Sequence, residues 1–216
     1  MVATSTQADV TGPAGRIETV IDAPEGAVRG VAVLCHPHPL HGGTMDNKVI
    51  QTLARAFVQL GYRAVRFNFR GVGGSQGQFD HGVGEVDDAL SVIAACRDAA
   101  VPLALGGFSF GGYIAAQAAE RLAAANSPAQ RLVLIGPATS TFPVPAVPAD
   151  SLVIHGEADD VVPLRATLDW ARPQGLPVVV LPGVGHYFHG QLTRLRDLVL
   201  RGWGHRSAVC GRPQDS

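Results

Sequence analysis

Lysine is almost absent from this chain. Of 216 residues only Lys48 is a lysine, and lysine plus arginine total 17 against 18 acidic side chains. The resulting net charge of −1 at pH 7 gives no global field to hold nucleic acid or an anionic membrane surface. Cysteine is scarce too: Cys35, Cys96 and Cys210 form an odd, widely spaced set without a C-x-x-C pair, which argues against a disulfide framework and for a reducing compartment. No apolar run approaches the roughly 20 residues of a membrane span. The opening MVATSTQADVTG carries neither the basic stretch nor the apolar stretch of a secretory leader. A cytoplasmic protein with no membrane and no nucleic-acid partner is therefore expected. Repeats, low-complexity tracts and linker-like shifts in composition are missing as well, so residues 1–216 read as one domain, with 202–216 as a loosely held tail.

Apolar residues make up 46% of the chain and charged ones 16%, a balance suited to a sheet buried on both faces. Short β-branched runs alternate with helical periodicity. Strands are read at Gly15–Asp22, Gly30–Cys35, Tyr62–Phe69, Leu103–Gly107, Arg131–Ile135, Leu152–His155 and Val178–Leu181. Helices are read near 46–60, 84–97, 111–125, 164–171 and 191–200. This order predicts an α/β fold with a mostly parallel, twisted sheet of about seven or eight strands and helices on both faces. The one basic local run, RAVRFNFR at 63–70, interleaves arginine with aromatics but has no basic neighbours, so it reads as a buried strand ending in polar loop residues. The glycine-rich RGVGGSQG that follows is too irregular for a phosphate-binding fingerprint.

The run GGFSFGG at 106–112 brackets one serine with four glycines. Ser109 falls between a strand and a helix inside G-x-S-x-G, a turn so tight that side chains at the flanking positions would clash with neighbouring strand and helix. A serine hydroxyl is a weak nucleophile and needs a base oriented by a carboxylate, in this architecture in the chain order serine, acid, histidine. Downstream, HGEADDVVP and GVGHYFHG follow the strands at 152–155 and 178–181. Asp159 and His186 thus fall beyond the carboxyl ends of parallel strands, the edge where open α/β sheets collect ligands. Asp160 and His189 are their rivals.

An oxyanion would rest on the Phe110 N–H and on a second donor from HPHPLH at 36–41, where two prolines delete two donors. His38 is the first choice and Leu40 the reserve. The same H-x-H-x-x-H run allows a zinc site on His36, His38 and His41, although a metallohydrolase of that pattern wants an aspartate where Leu40 stands.

Taken together, CHPHPLHGGTMDNKV, FNFRGVGGSQG, GGFSFGG, HGEADDVVP and GVGHYFHG resemble the α/β-hydrolase superfamily, in particular small lidless bacterial serine hydrolases of the esterase-like, dienelactone-hydrolase-related group. The similarity runs from about Gly12 to Arg201. It implies Ser109, Asp159 and His186 as nucleophile, acid and base, and implies no cofactor. The pattern departs at Pro37, where many members of the group carry glycine. Only 16 residues, rich in proline, separate the strands ending at Ile135 and beginning at Leu152, too few for a substantial cap. An open cleft bordered by Leu40, Phe110, Phe142, Tyr187 and Phe188 is expected, with small or short-chain carboxylic esters as substrates. Peptidase and thioesterase activity would use the same three residues.

Overall fold

A computed structural model describes residues 4–204. Eight strands, β1 (Thr4–Gly12), β2 (Gly15–Ala23), β3 (Gly30–Cys35), β4 (Tyr62–Phe67), β5 (Leu103–Phe108), β6 (Arg131–Ile135), β7 (Leu152–Gly156) and β8 (Val178–Leu181), form one sheet in the order β1-β2-β4-β3-β5-β6-β7-β8. The first two pairings, β1 with β2 and β2 with β4, are antiparallel. From β4 across to β8 every pairing is parallel.

The five helices are α1 (Lys48–Gln59), α2 (Val83–Cys96), α3 (Phe110–Ala124), α4 (Leu164–Ala171) and α5 (Leu192–Gly204). They lie on both faces, because β3, β5 and β7 are buried at every position, as strands in such a sheet must be. One hydrophobic cluster joins Val33, Val65 and Leu105 of the sheet to Ala89 and Val92 of α2 and to Ile114 and Ala118 of α3. The other joins Leu34, Ala64 and Ile154 to Leu53 and Phe57 of α1 and to Leu195, Val199 and Trp203 of α5. Phe57, Tyr62 and Trp203 meet edge to face with ring centroids 4.9–6.1 Å apart. No described helix is long and apolar enough to cross a membrane.

Three differences separate this architecture from the sequence reading. β1 is an additional strand: eight of its nine residues are exposed or half-exposed and only Val10 is buried, so it lacks the apolar alternation that marks a half-buried strand. β4 stops at Phe67, after which Asn68 turns out of the ladder to accept the Met45 N–H (2.9 Å) and to donate to Glu18 (2.7 Å). The last helix continues to Gly204, taking in residues 202–204 of the expected tail; residues 205–216, with Cys210, lie outside the described residues.

The arginines of RAVRFNFR serve the fold. Arg63 donates to the Cys96 carbonyl (3.1 Å), and Arg66 bonds to Asp22 (2.8 Å), Asp46 (3.0 Å) and the Met45 carbonyl (3.1 Å), tying β2 and β4 to the start of α1. Arg70 forms a two-pronged pair with Asp88 of α2, at 3.0 and 2.8 Å. That pair fixes the loop after β4 against α2. Its side chains are 11% and 1% exposed, and removing Asp88 leaves the Arg70 guanidinium to the longer, 3.9 Å contact with the exposed Asp80. Asp88→Ala is accordingly expected to cost about 3–5 kcal/mol of unfolding free energy, read from urea denaturation.

Candidate functional site

The site starts from the β5–α3 junction. Ser109 has φ 54° and ψ −117°, a conformation that L-residues resist and that costs of order 1–3 kcal/mol unless its surroundings enforce it. They do so through the backbone: the Ser109 N–H donates to the Ile135 carbonyl (2.9 Å), and its own carbonyl accepts from Gly112 (2.9 Å) and Ala138 (3.2 Å). The flanking glycines make room. A Cβ on Gly107 would overlap the Gly111 carbonyl, and one on Gly111 would overlap the carbonyl of Cys35. The hydroxyl therefore stands at the N-terminus of α3, where the Phe110 N–H has no intrahelical acceptor.

Asp159 and His186 come together from the turns after β7 and β8. Asp159 Oδ2 lies 2.7 Å from His186 Nδ1, while Oδ1 accepts the N–H groups of Val161 (3.0 Å) and Val162 (2.7 Å). Both side chains are almost fully buried, at 0% and 3% exposure. Burial by itself would raise the Asp159 carboxyl; the hydrogen bonds from His186 and Val162 outweigh it and hold the group below its ordinary value. The carboxylate thus stays ionised and fixes which nitrogen of His186 carries the proton. The imidazole packs on Phe108, the residue before Ser109, with centroids 4.8 Å apart. A Cβ on Gly136, next to the carbonyl that anchors Ser109, would lie 3.6 Å from its Nδ1 and Cε1. Asp159 and His186 are hydrogen-bonded, and the imidazole reaches the ring of the residue before Ser109; among the described residues no hydrogen bond joins Ser109 to His186.

Asp160 and His189, the rival carboxylate and imidazole, are both exposed and stand outside the buried pair. A residue that sequence reasoning missed is His155. It is fully buried, with Nε2 2.9 Å from the Val162 carbonyl and 3.4 Å from Asp159 Oδ2, and burial lowers its pKa. The only sequence signal was its place four residues before Asp159.

In the loop after β3, the N–H groups of Leu40, His41, Gly42 and Gly43 are all spent on His38 and Pro39. Pro37 and Pro39 have none, which leaves His38 as the amide of residues 37–43 without an acceptor among the described residues. The reserve donor, Leu40, is occupied by His38 Nδ1 at 3.2 Å. The His38 ring stacks on His41 (4.5 Å) and approaches Phe110 (5.0 Å) and Phe142 (6.1 Å). Leu40 is 69% exposed and Tyr187 49%. Phe188 is a correction. It is 0% exposed and packed in the cluster with Phe57 and Leu195, because its positive φ of 53° turns the chain between two exposed neighbours; it does not border the cleft.

The zinc alternative fails on His36. Its Nε2 accepts the Phe69 N–H (3.1 Å) and its Nδ1 donates to the Pro37 carbonyl (2.6 Å). With both nitrogens committed to backbone, His36 has no lone pair to offer a metal.

The family described as serine aminopeptidase, S33, matches residues 28–148. A solved structure from Xanthomonas campestris, described as a serine hydrolase without lid, is 37% identical over 99% of both chains with a TM-score of 0.86. An alpha-beta serine hydrolase homologue from Coxiella burnetii is 38% identical, with 93% of this chain and 98% of that one covered and a TM-score of 0.81. An uncharacterised protein of Rickettsia prowazekii is 38% identical over 161 residues, 70% of this chain and 66% of that protein's length.

Burial pushes His36 from its ordinary 6.5 down to about 4. Between those values the unfolded chain binds a proton that the folded chain refuses, so stability is full above pH 6.5 and falls as pH drops toward 4. The loss assignable to His36 is about 3 kcal/mol, and His155 adds in the same direction. His36→Gln should flatten this acid limb in denaturant midpoints measured across the window.

Proposed function

The chain belongs to the serine hydrolases of the α/β superfamily, and from that membership we propose that it cleaves small or short-chain carboxylic esters with Ser109, His186 and Asp159 as nucleophile, base and acid. The observation that carries the reading is the buried 2.7 Å contact between Asp159 and His186, with the imidazole against Phe108, the residue before a serine whose backbone is held at positive φ. In this mechanism Ser109 Oγ attacks the ester carbonyl as His186 Nε2 takes its proton. Asp159 holds the imidazole by Nδ1–H and stabilises its positive charge. The developing oxyanion accepts from the Phe110 and His38 N–H groups, an interaction in which one donor commonly contributes on the order of 10²–10³ in turnover.

Collapse of the tetrahedral intermediate breaks the C–O bond, and His186 returns its proton to the departing alcohol. Water, deprotonated by the same imidazole, then attacks the acyl-enzyme, and the acid leaves with Ser109 restored. Nothing in this sequence of steps calls for a cofactor. Leu40 and Phe142 would border the acyl group on the His38 side, and Tyr187 the leaving group on the His186 side. The short β6–β7 connection, which forms no helix, supports small substrates reached through an open cleft. Free Cys35 and Cys96 suit a cytoplasmic setting. Amide cleavage is a second reading, favoured by the description of the matching family.

Ser109→Ala should abolish turnover of p-nitrophenyl acetate and remove labelling by a fluorophosphonate probe, located on Ser109 by mass spectrometry in the unaltered protein. Across a chain-length series the shortest acyl groups should turn over fastest. Fastest turnover of long chains would overturn the small-substrate reading, and faster cleavage of aminoacyl anilides than of esters would favour the second one.

A further inference from the structure

β1 ends the sheet, with β2 on one side and no strand on the other among the described residues. Which of its backbone groups are left over follows from β2. The Arg16 N–H donates to Gln76 Oε1 (2.8 Å) and the Arg16 carbonyl accepts the Gln76 N–H (2.8 Å). The Glu18 N–H donates to Ser75 Oγ (2.9 Å) and the Glu18 carbonyl accepts the Asn68 N–H (2.9 Å). Arg16 and Glu18 thus turn their backbone groups away from β1, where they stand opposite Thr11 and Asp9. Bonded and non-bonded pairs alternate along an antiparallel ladder. Thr11, Asp9, Gln7 and Ser5 therefore all point their N–H and C=O groups outward, and none of these groups has a hydrogen-bond partner among the described residues. Natural sheets shield such an edge with proline, lysine, a bulge or a very short strand. TSTQADVTG holds no proline and no lysine, and its register with β2 runs one for one through all nine residues. Its single charge, Asp9, is met by Arg16 at 3.6 Å.

We propose that this edge is an interface at which a second copy of the chain adds its own β1, antiparallel across a twofold axis, so that two sheets become one. The strand is complementary to itself in the register that overlaps its whole length. In that register Ala8 lies on the axis, Gln7 faces the partner's Asp9 and Ser5 faces the partner's Thr11. Each outward-pointing residue meets another outward-pointing residue, and every stranded N–H and C=O gains a bond. A shift that sets Asp9 against its own copy would place like charges face to face, so the full-length register is also the electrostatically favoured one. A strand from an unrelated protein would owe these matches to chance, which is why the second copy is the occupant. β2, β4 and β3 stand between this edge and β5, so Ser109 lies outside the interface and the inference does not depend on the ester-hydrolase reading.

Analytical ultracentrifugation of the full chain over a concentration series should show a mass of two chains that falls to one on dilution, because an edge pairing is small beside a standard interface. Gln7→Pro deletes an outward N–H without removing a bond to β2. It should give single chains throughout, with unaltered far-UV circular dichroism. Gln7→Asp keeps that N–H and sets a carboxylate against the partner's Asp9 at both symmetry-related positions, which should raise the dissociation constant about tenfold. Gln7→Arg, which offers the same carboxylate a cation, should lower it by a similar factor. A single-chain mass at concentrations as high as about 1 mM overturns the inference. So does a dimer that a folded Gln7→Pro leaves intact, or one whose dissociation constant neither charge variant moves. If Gln7→Pro does not fold, the two charge variants decide.

Discussion

At Ser109 the chain passes from β5 into α3 within a single residue, and the positive φ that this takes is tolerable only where strand and helix can approach to carbonyl contact. Gly107 and Gly111 permit that approach, toward α3 on one side and toward the end of β3 on the other. The same closeness brings the Phe110 amide, at the start of the helix, alongside the loop that carries His38. The strain at one residue and the position of the Phe110 amide thus have a common cause. Relaxing the turn would move the hydroxyl and the Phe110 donor together.

The remaining groups reach the site by another route. β5, β6, β7 and β8 are adjacent and parallel, so the turns after them emerge on one edge of the sheet. Ser109 is pinned to the Ile135 carbonyl at the end of β6, and Asp159 and His186 follow β7 and β8. The carboxylate gains further rigidity from two backbone N–H groups on its second oxygen and from His155 near its first. An acid so surrounded stays ionised despite burial, and an imidazole beside it has one tautomer open to it.

The parallel core was legible in the sequence because its strands are apolar runs bounded by glycine and proline. The helix at 164–171 and the strands at 30–35, 131–135 and 178–181 appear with the bounds read from pattern alone. β1 was illegible for the opposite reason: its residues face water on almost every side, and its place comes from nine residues of register with β2 across a two-residue turn, not from an apolar pattern of its own. Phe188 misled in another way. A phenylalanine two residues after His186 looks like a wall of the candidate site, yet its backbone has positive φ and its ring lies in the core. The availability of the His38 amide and the double commitment of His36 likewise depend on hydrogen bonds closed within the loop or across to Phe69, and one-dimensional pattern carries no record of them.

The segment between β6 and β7 contains no helix that could fold down over the serine. Enzymes that close a flap over their substrate exchange speed of access for a dry interior, and their slow step is often the opening. Without such a flap, the proposed mechanism would have ungated product departure, and bulk solvent would reach the ester formed on Ser109. In the proposed mechanism a competing alcohol would then have to outpace a co-reactant present in overwhelming excess, an arrangement that would favour hydrolysis of the covalent intermediate over transfer of its acyl group.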